Sequence, residues 1–413
     1  MDAAEDRSRR ALAWIGVAAL GVLVAGVVYL RPSLAPPAAA SPTSARLPLD
    51  LGGWRLGSIS FGDADHGAVQ FYRSLSGPTS SATFVTSDGG RTWRPVAGDR
   101  IGFGLASFLD RRTVVVQTGT GGGPTTTRLS DDGGHTWRRL ADPRGFAGLG
   151  LPAFLDAQHG LWLERPATGD PRTPGPVALW RTTDGGRSWR RLAASGLPQP
   201  GFPGQWVFVD ALRGTLMFTS QAGSRFWLAT TDGGDSWQVV KGPDAPFQGT
   251  STPSTVLLRH GGQMLAWLLE VSGPASPNGF LAAPNGTVDI AAFVSVSDDG
   301  GQTWGSPRAG PRIVQPTYLS LFPAMDDRGR LLLLDNRHLW VSEDGGATWT
   351  VRLVQIPAGL RPAWLASAVH GGLYSAAYQT GPIDAVTPST PLTLIRSTDG
   401  GAHWSPVSLP RPS

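Results

Sequence analysis

The side chains of this chain best suited to chemistry sit in the octet SDDGGHTW, Ser130–Trp137, where a hydroxyl, two carboxylates and two glycines precede a tryptophan. Carboxylates this close could ligate a cation, exchange protons with a substrate, or hold a turn by accepting backbone N–H groups. An EF-hand loop needs more ligands than one octet supplies. The number of copies decides between the other two. Comparable stretches are TSDGGRTW (Thr86–Trp93), TTDGGRSW (Thr182–Trp189), TTDGGDSW (Thr230–Trp237), SDDGGQTW (Ser297–Trp304), SEDGGATW (Ser342–Trp349) and STDGGAHW (Ser397–Trp404). Their central aspartates are Asp88, Asp132, Asp184, Asp232, Asp299, Asp344 and Asp399, and they end on Trp93, Trp137, Trp189, Trp237, Trp304, Trp349 and Trp404. Seven near-identical acidic turns point to structure rather than to seven active sites. The carboxylate caps the turn, the glycines permit positive φ, and the tryptophan opens a strand with its ring free to pack between sheets.

The elements that carry these turns follow from what flanks them. Each octet lies between short β-rich runs, such as FWLAT before and WQVV after, and Asp-Gly between two such runs is a hairpin signal. A second repeat precedes each octet: SISFGDADHGAVQF, ASFLDRRTVVVQ, PAFLDAQHGLWLE, VFVDALRGTLMF, and three looser copies. Each reads as strand, polar turn, strand. A unit of four strands recurring at intervals of 44–67 residues predicts an all-β fold, a seven-bladed β-propeller of four-stranded antiparallel blades over residues 51–413.

Composition agrees. The 413 residues exceed one ordinary core, 55 glycines and 35 prolines demand many turns, and 16 tryptophans argue against disorder. With no cysteine, disulfides, thiolate metal sites and a cysteine nucleophile are excluded. The net charge of +4 is spread over scattered arginines, Lys241 being the one lysine, so no nucleic-acid partner is expected. The Gly-rich Thr118–Thr126 lacks the lysine and following helix of a phosphate loop, and reads as a flexible loop. No metal site and no cofactor are expected.

Residues 11–30, ALAWIGVAALGVLVAGVVYL, carry no charge and as a helix would span about 30 Å, the thickness of a hydrocarbon core. Arg7, Arg9 and Arg10 precede them, so the positive-inside rule predicts a single-pass signal-anchor at the cell membrane. Residues 1–10 form a cytoplasmic tail, and the propeller is extracytoplasmic. A cleaved signal peptide remains open, because PAAAS near Ala40 could serve as its cleavage site. Residues 31–50 are rich in Pro, Ala and Ser and read as a semi-extended linker.

The octets resemble the Asp-box, or BNR, repeat, Ser/Thr-x-Asp-x-Gly-x-Thr-Trp, and only the last copy departs at the seventh position, with His403. The resemblance covers about residues 51–413. It implies a propeller whose boxes are fold elements on the blade periphery, as in sialidases, sortilin-type receptors, some glucan hydrolases and photosystem II assembly factors. The turn at Phe154–Gly160 is most similar to the assembly-factor group. A sialidase-like site would need three arginines, a tyrosine–glutamate nucleophile pair and an aspartate. The family's first arginine motif is missing ahead of the first box, and its echo PRIV (Pro311–Val314) lies between boxes five and six. After residue 30 the glutamates are Glu164, Glu270 and Glu343, and the tyrosines are Tyr72, Tyr318, Tyr374 and Tyr378.

In a four-stranded blade the first and third turns share one face of the disc, and the second turns and blade-to-blade links share the other. The box face is expected to be plain. His66 and His159, in the first turns, are expected to have turn or surface roles. On the opposite face the second connections vary from Asp335–Arg337 to Glu164–Pro176, Val271–Ile290 and Gln379–Pro391, and variable loops carry recognition. The candidate binding face is Tyr72, Arg73, Glu164, Arg165, Glu270 and Tyr378. The expected function is a non-catalytic binding or assembly platform for a protein or glycan; the alternative is a divergent sialidase-like glycoside hydrolase.

Overall fold

The computed structural model describes residues 53–73, 80–96, 103–119, 125–141, 151–164, 176–220, 224–244, 254–272, 288–315, 323–335, 337–369, 372–379 and 392–412. The predicted tail, anchor and linker lie outside them. Among the described residues no helix is long and apolar enough to cross a membrane.

Among the described residues twenty-eight strands form seven sheets of four. Blade 1 is β1–β4, Arg55–Phe61, Gly67–Arg73, Ser80–Thr86 and Arg94–Pro95. Blade 2 is β5–β8, Phe103–Phe108, Val114–Gly119, Thr125–Ser130 and Arg138–Arg139. Blade 3 is β9–β12, Leu151–Phe154, Gly160–Glu164, Ala178–Thr182 and Arg190–Arg191. Blade 4 is β13–β16, Gly201–Phe208, Gly214–Ser220, Arg225–Thr230 and Gln238–Val240. Blade 5 is β17–β20, Ser254–His260, Gln263–Ser272, Val288–Ser297 and Arg308–Gln315. Blade 6 is β21–β24, Ala324–Met325, Leu331–Leu334, His338–Ser342 and Thr350–Leu353. Blade 7 is β25–β28, Leu360–Val369, Gly372–Gln379, Leu392–Ser397 and Ser405–Val407. Within each blade the strands pair antiparallel in chain order, so one blade is one contiguous stretch of chain. First strands lie against first strands, β1 meeting both β5 and β25, and β17 meeting both β13 and β21.

Alternation along each strand explains how the blades join, since successive side chains leave opposite faces. Val69 and Phe71 of β2 pack with Tyr374, Ala376 and Leu394 of blade 7, while Ala68 packs with Ala106, Phe108 and Val114 of blade 2. Every seam has such an apolar cluster. Val115 and Leu129 meet Phe154 between blades 2 and 3, Leu161 and Leu163 meet Phe208 and Leu216, and Met217 and Trp227 meet Leu257 and Ala266. Leu265 and Trp267 meet Leu331 and Leu333, and Leu332 and Leu334 meet Leu360 and Leu373. Seven seams for seven blades make a closed ring. Each fully buried Leu or Phe stabilises by about 1.5–3 kcal/mol relative to exposure, so the ring is held by blade-on-blade packing rather than by any one strand.

Candidate functional site

The boxes are clasps. In box 1 the Thr86 hydroxyl donates to Asp88 Oδ1 at 2.8 Å and accepts the Gly90 N–H at 2.9 Å. Asp88 Oδ1 also accepts the N–H groups of Arg91 and Thr92, both at 2.9 Å, and Oδ2 accepts the Thr92 hydroxyl at 2.6 Å. Gly89 and Gly90, at φ +71° and +88°, supply the left-handed backbone this needs. The same clasp recurs at Asp132, Asp184, Asp232, Asp299 and Asp344. In the last box His403 replaces the hydroxyl and its Nδ1 meets Asp399 Oδ2 at 2.6 Å. Burial opposes ionisation of Asp88, but the Thr92, Thr86 and Arg91 donors outweigh it and bring its pKa down to about 2. The Thr348 hydroxyl and N–H likewise bring Asp344 down to about 2.

Among the described residues a second acidic clasp lies in the first turn of five blades. Asp63, Asp110, Asp156, Asp210 and Asp326 each accept two backbone N–H groups from residues further along the turn. A side chain closes each turn on the carboxylate: His66, Thr113, His159, Arg213 or Arg330. His66 and His159 therefore have the turn role expected of them. The two clasps are bonded together. Gly89 N donates to Asp65 O at 2.9 Å, Gly133 N to Arg112 O at 2.7 Å, Gly185 N to Gln158 O at 2.8 Å and Gly233 N to Leu212 O at 2.7 Å. Sequence reading missed this second clasp, although an aspartate at the head of each turn was there to be seen.

Each box also reaches back to the preceding blade. A Cβ on the second box glycine would run into Val407, Val85, Leu140, Leu192, Thr215, Val294 or Leu339, always one blade back. In every box but the second, an arginine of the preceding blade lies over the first glycine. Arg181 Nη1 donates to Asp232 O at 3.0 Å, Arg308 Nη1 to Asp344 O at 3.0 Å, and Arg396 Nη1 to Gly89 O at 3.4 Å. The box tryptophans complete the seams. Trp93 Nε1 donates to Ser408 O at 2.8 Å and Trp189 Nε1 to Ala141 O at 2.8 Å, and the rings meet Phe61, Phe154, Phe208, Trp227 and Trp267 edge-on.

The box face is less plain than expected. A shallow depression of about 590 Å³ opens there, lined by Gly62, Asp63, Asp110, Arg111, Arg112, Thr113, Asp131 and Ala157. The first turns are clasped five-residue loops in blades 1–3, and they leave room between neighbours.

On the opposite face the described candidate residues come from blades 1, 3, 5 and 7. Tyr72 is buried, its ring over Gly57, and the Arg73 guanidinium lies 5.1 Å from the Trp54 ring centroid. Both are on blade 1. Glu164, on blade 3, accepts the Trp180 indole N–H at 2.6 Å. Glu270 is half-buried on blade 5. Tyr378 pairs with Arg361 and Leu392 on blade 7, and Arg165 lies outside the described residues. Among the described residues the candidates thus come from four blades, with Tyr72 and Arg73 sharing one. Most of the expected recognition loops lie outside the described residues; Asp335, in the shortest, accepts the N–H groups of Arg337 and His338, both at 2.7 Å. Arg312, of the PRIV echo, makes a two-pronged ion pair with Asp289 on the neighbouring strand, at the outer edge of blade 5. Tyr374 is fully buried, and burial pushes its hydroxyl up, away from nucleophilic use.

No family model and no curated protein matches the chain. Solved structures do. YCF48 bound to D1 peptide aligns at 18% identity over 85% of this chain and 97% of that one, with TM-score 0.45. The uncomplexed acylaminoacyl peptidase of Pyrococcus horikoshii aligns at 9% identity over 87% of this chain and 53% of that one, with TM-score 0.51. Trypanosoma rangeli sialidase, in complex with a difluoro-KDN, aligns at 12% identity over 85% and 54%, with TM-score 0.40. At 9% identity the likeness to the peptidase is one of fold alone.

Proposed function

We propose that the chain is an Asp-box propeller held outside the cytoplasm by residues 11–30, and that it is a non-catalytic platform for a protein or glycan bound on the rim opposite the boxes. One observation carries this reading. The box carboxylates are spent on their own turns, each holding a hydroxyl or imidazole and backbone N–H groups, so none is free to act on a substrate. Tyr374 is likewise committed to a seam, its hydroxyl donating to Ala64 O. What varies between blades is the opposite rim, where the second connections differ most in length.

The test is crosslinking and capture with the full chain in its native membrane, alongside turnover assays with sialosides and glucans. Enrichment of one partner protein or glycan, with no turnover, supports the platform. Saturable hydrolysis by the purified chain would replace it with a glycoside hydrolase.

A further inference from the structure

The sixth box position sets the charge of each seam's outer edge. In box 4 it is Asp235, whose carboxylate pairs with two arginines of blade 3, Arg190 at 2.8 Å and Arg181 at 3.4 Å. In boxes 1, 2 and 3 the same position holds Arg91, His135 and Arg187, and the preceding blade still brings an arginine: Arg396, Arg94 and Arg138. In box 3 two arginines, Arg138 and Arg187, therefore face each other where box 4 has a salt bridge. In box 2 Arg94 Nη1 donates to His135 Nδ1 at 3.2 Å. Among the described residues Arg138 Nε and Nη1, Arg94 Nη2 and Arg396 Nε are buried nitrogens without a hydrogen-bond partner. Guanidinium donors cannot be left in that state cheaply, because an unmade bond forfeits the hydration that burial removed.

We propose that the outer edge of the seam between blades 2 and 3 binds a tetrahedral oxoanion, a phosphate or sulfate, between Arg138 and Arg187. Arg138 lies over Gly185, where a Cβ would strike its guanidinium, so the glycine seats it. Arg187 donates Nη1 to Asp184 O at 2.8 Å and is otherwise exposed at the entrance. Burial and the like charge of Arg187 both disfavour the charged Arg138, and the nearby Asp131 and Asp184 only partly offset them. Asp184 is already spent on its own turn. A dianion between the two arginines would satisfy the orphaned donors and reverse the repulsion, and arginine is the side chain fitted to phosphate geometry.

The experiment titrates the full chain, in detergent, with inorganic phosphate against chloride at constant ionic strength. It follows the heat of binding and the unfolding midpoint. The wild type should show a saturable rise in midpoint, and Arg187→Gln should weaken the apparent affinity about tenfold, the worth of one charge-assisted bond. Arg187→Asp copies box 4: it should abolish the phosphate response and raise the midpoint in phosphate-free buffer by supplying the missing salt bridge. A parallel arm uses vesicles of phosphatidylglycerol against phosphatidylcholine. A response to inorganic phosphate supports a free anion, and selective vesicle binding that Arg187→Asp loses supports a headgroup. No response in either arm, or an equal response from wild type and Arg187→Asp, overturns the proposal.

Discussion

The Tyr374 hydroxyl donates to the Ala64 carbonyl at 2.6 Å across 310 residues of chain, and its ring stacks on Phe61 with centroids 3.5 Å apart. Here the last blade meets the first with no shared strand. Opposite the residue that precedes each box, the second strands carry Ala68, Val115, Leu161, Thr215, Leu265, Leu332 and Tyr374. Six seams are joined by continuous chain; the seventh has the tyrosine. Tyr374→Phe should cost about 1 kcal/mol, the net worth of one hydrogen bond. Tyr374→Ala should cost about 3–5 kcal/mol, because the stack and its volume go too. Urea unfolding of both variants checks this. Equal losses would place the effect in the hydroxyl alone.

Acid should loosen the ring through the boxes. Asp88 and Asp344 are held at about 2 in the fold, against an ordinary value of 3.8. Their folded forms bind protons less readily than the unfolded chain, so unfolding takes up protons between these values. The stability they contribute is complete above about pH 4 and is lost as pH falls towards about 2. Urea midpoints from pH 7 to pH 2 should be level in this respect down to about pH 4, then drop. Asp88→Asn should shrink the drop, and a flat profile to pH 2 would refute the role given to the carboxylates.

Blade number, strand count and clasp were legible in the sequence because they rest on local chemistry repeated seven times. Asp88 and Thr92 are four residues apart, and so are their counterparts. What stayed hidden is what joins repeats. Tyr374 looked like one tyrosine among four, since nothing local marks it as the partner of Phe61. Arg181, Arg308 and Arg396 looked scattered because their acceptors lie one blade on, or 307 residues back for Arg396. The candidate rim residues were chosen as strand ends, and the described ones fall on blades 1, 3, 5 and 7, a spread that no local pattern marks.

The two roles of a turn glycine can be separated. Gly401 has φ +94°, and a Cβ there would press into Leu339 of blade 6, whereas Gly261 has φ +54° and open space around that position. Asparagine tolerates the left-handed region. Gly261→Asn should therefore change stability by less than about 1 kcal/mol. Gly401→Asn should cost several times more, since the seam must open to admit the side chain. Thermal midpoints of the two variants decide it, and similar shifts would show that backbone conformation alone sets the cost.

The outer strands differ in how they guard their edges. Blades 1, 2 and 3 end on Arg94–Pro95, Arg138–Arg139 and Arg190–Arg191, while β20 holds Pro311 and β28 holds Pro406. Strand β24 is exposed at all four residues, Val351 at 51% and Leu353 at 74%, with Arg352 its one charge. Arg352 lies beside Gly400 of the next box, which leaves the two apolar side chains facing water. An unguarded edge with exposed apolar residues is a template for strand addition between molecules. Val351→Lys combined with Leu353→Lys should reduce concentration-dependent light scattering of the purified chain on heating. Its unfolding midpoint should stay within about 1–2 °C of the parent, since surface substitutions of this kind change stability by only about 0.5 kcal/mol. Unchanged scattering would mean that association starts elsewhere, with β16 and its exposed Val239 the next edge to charge.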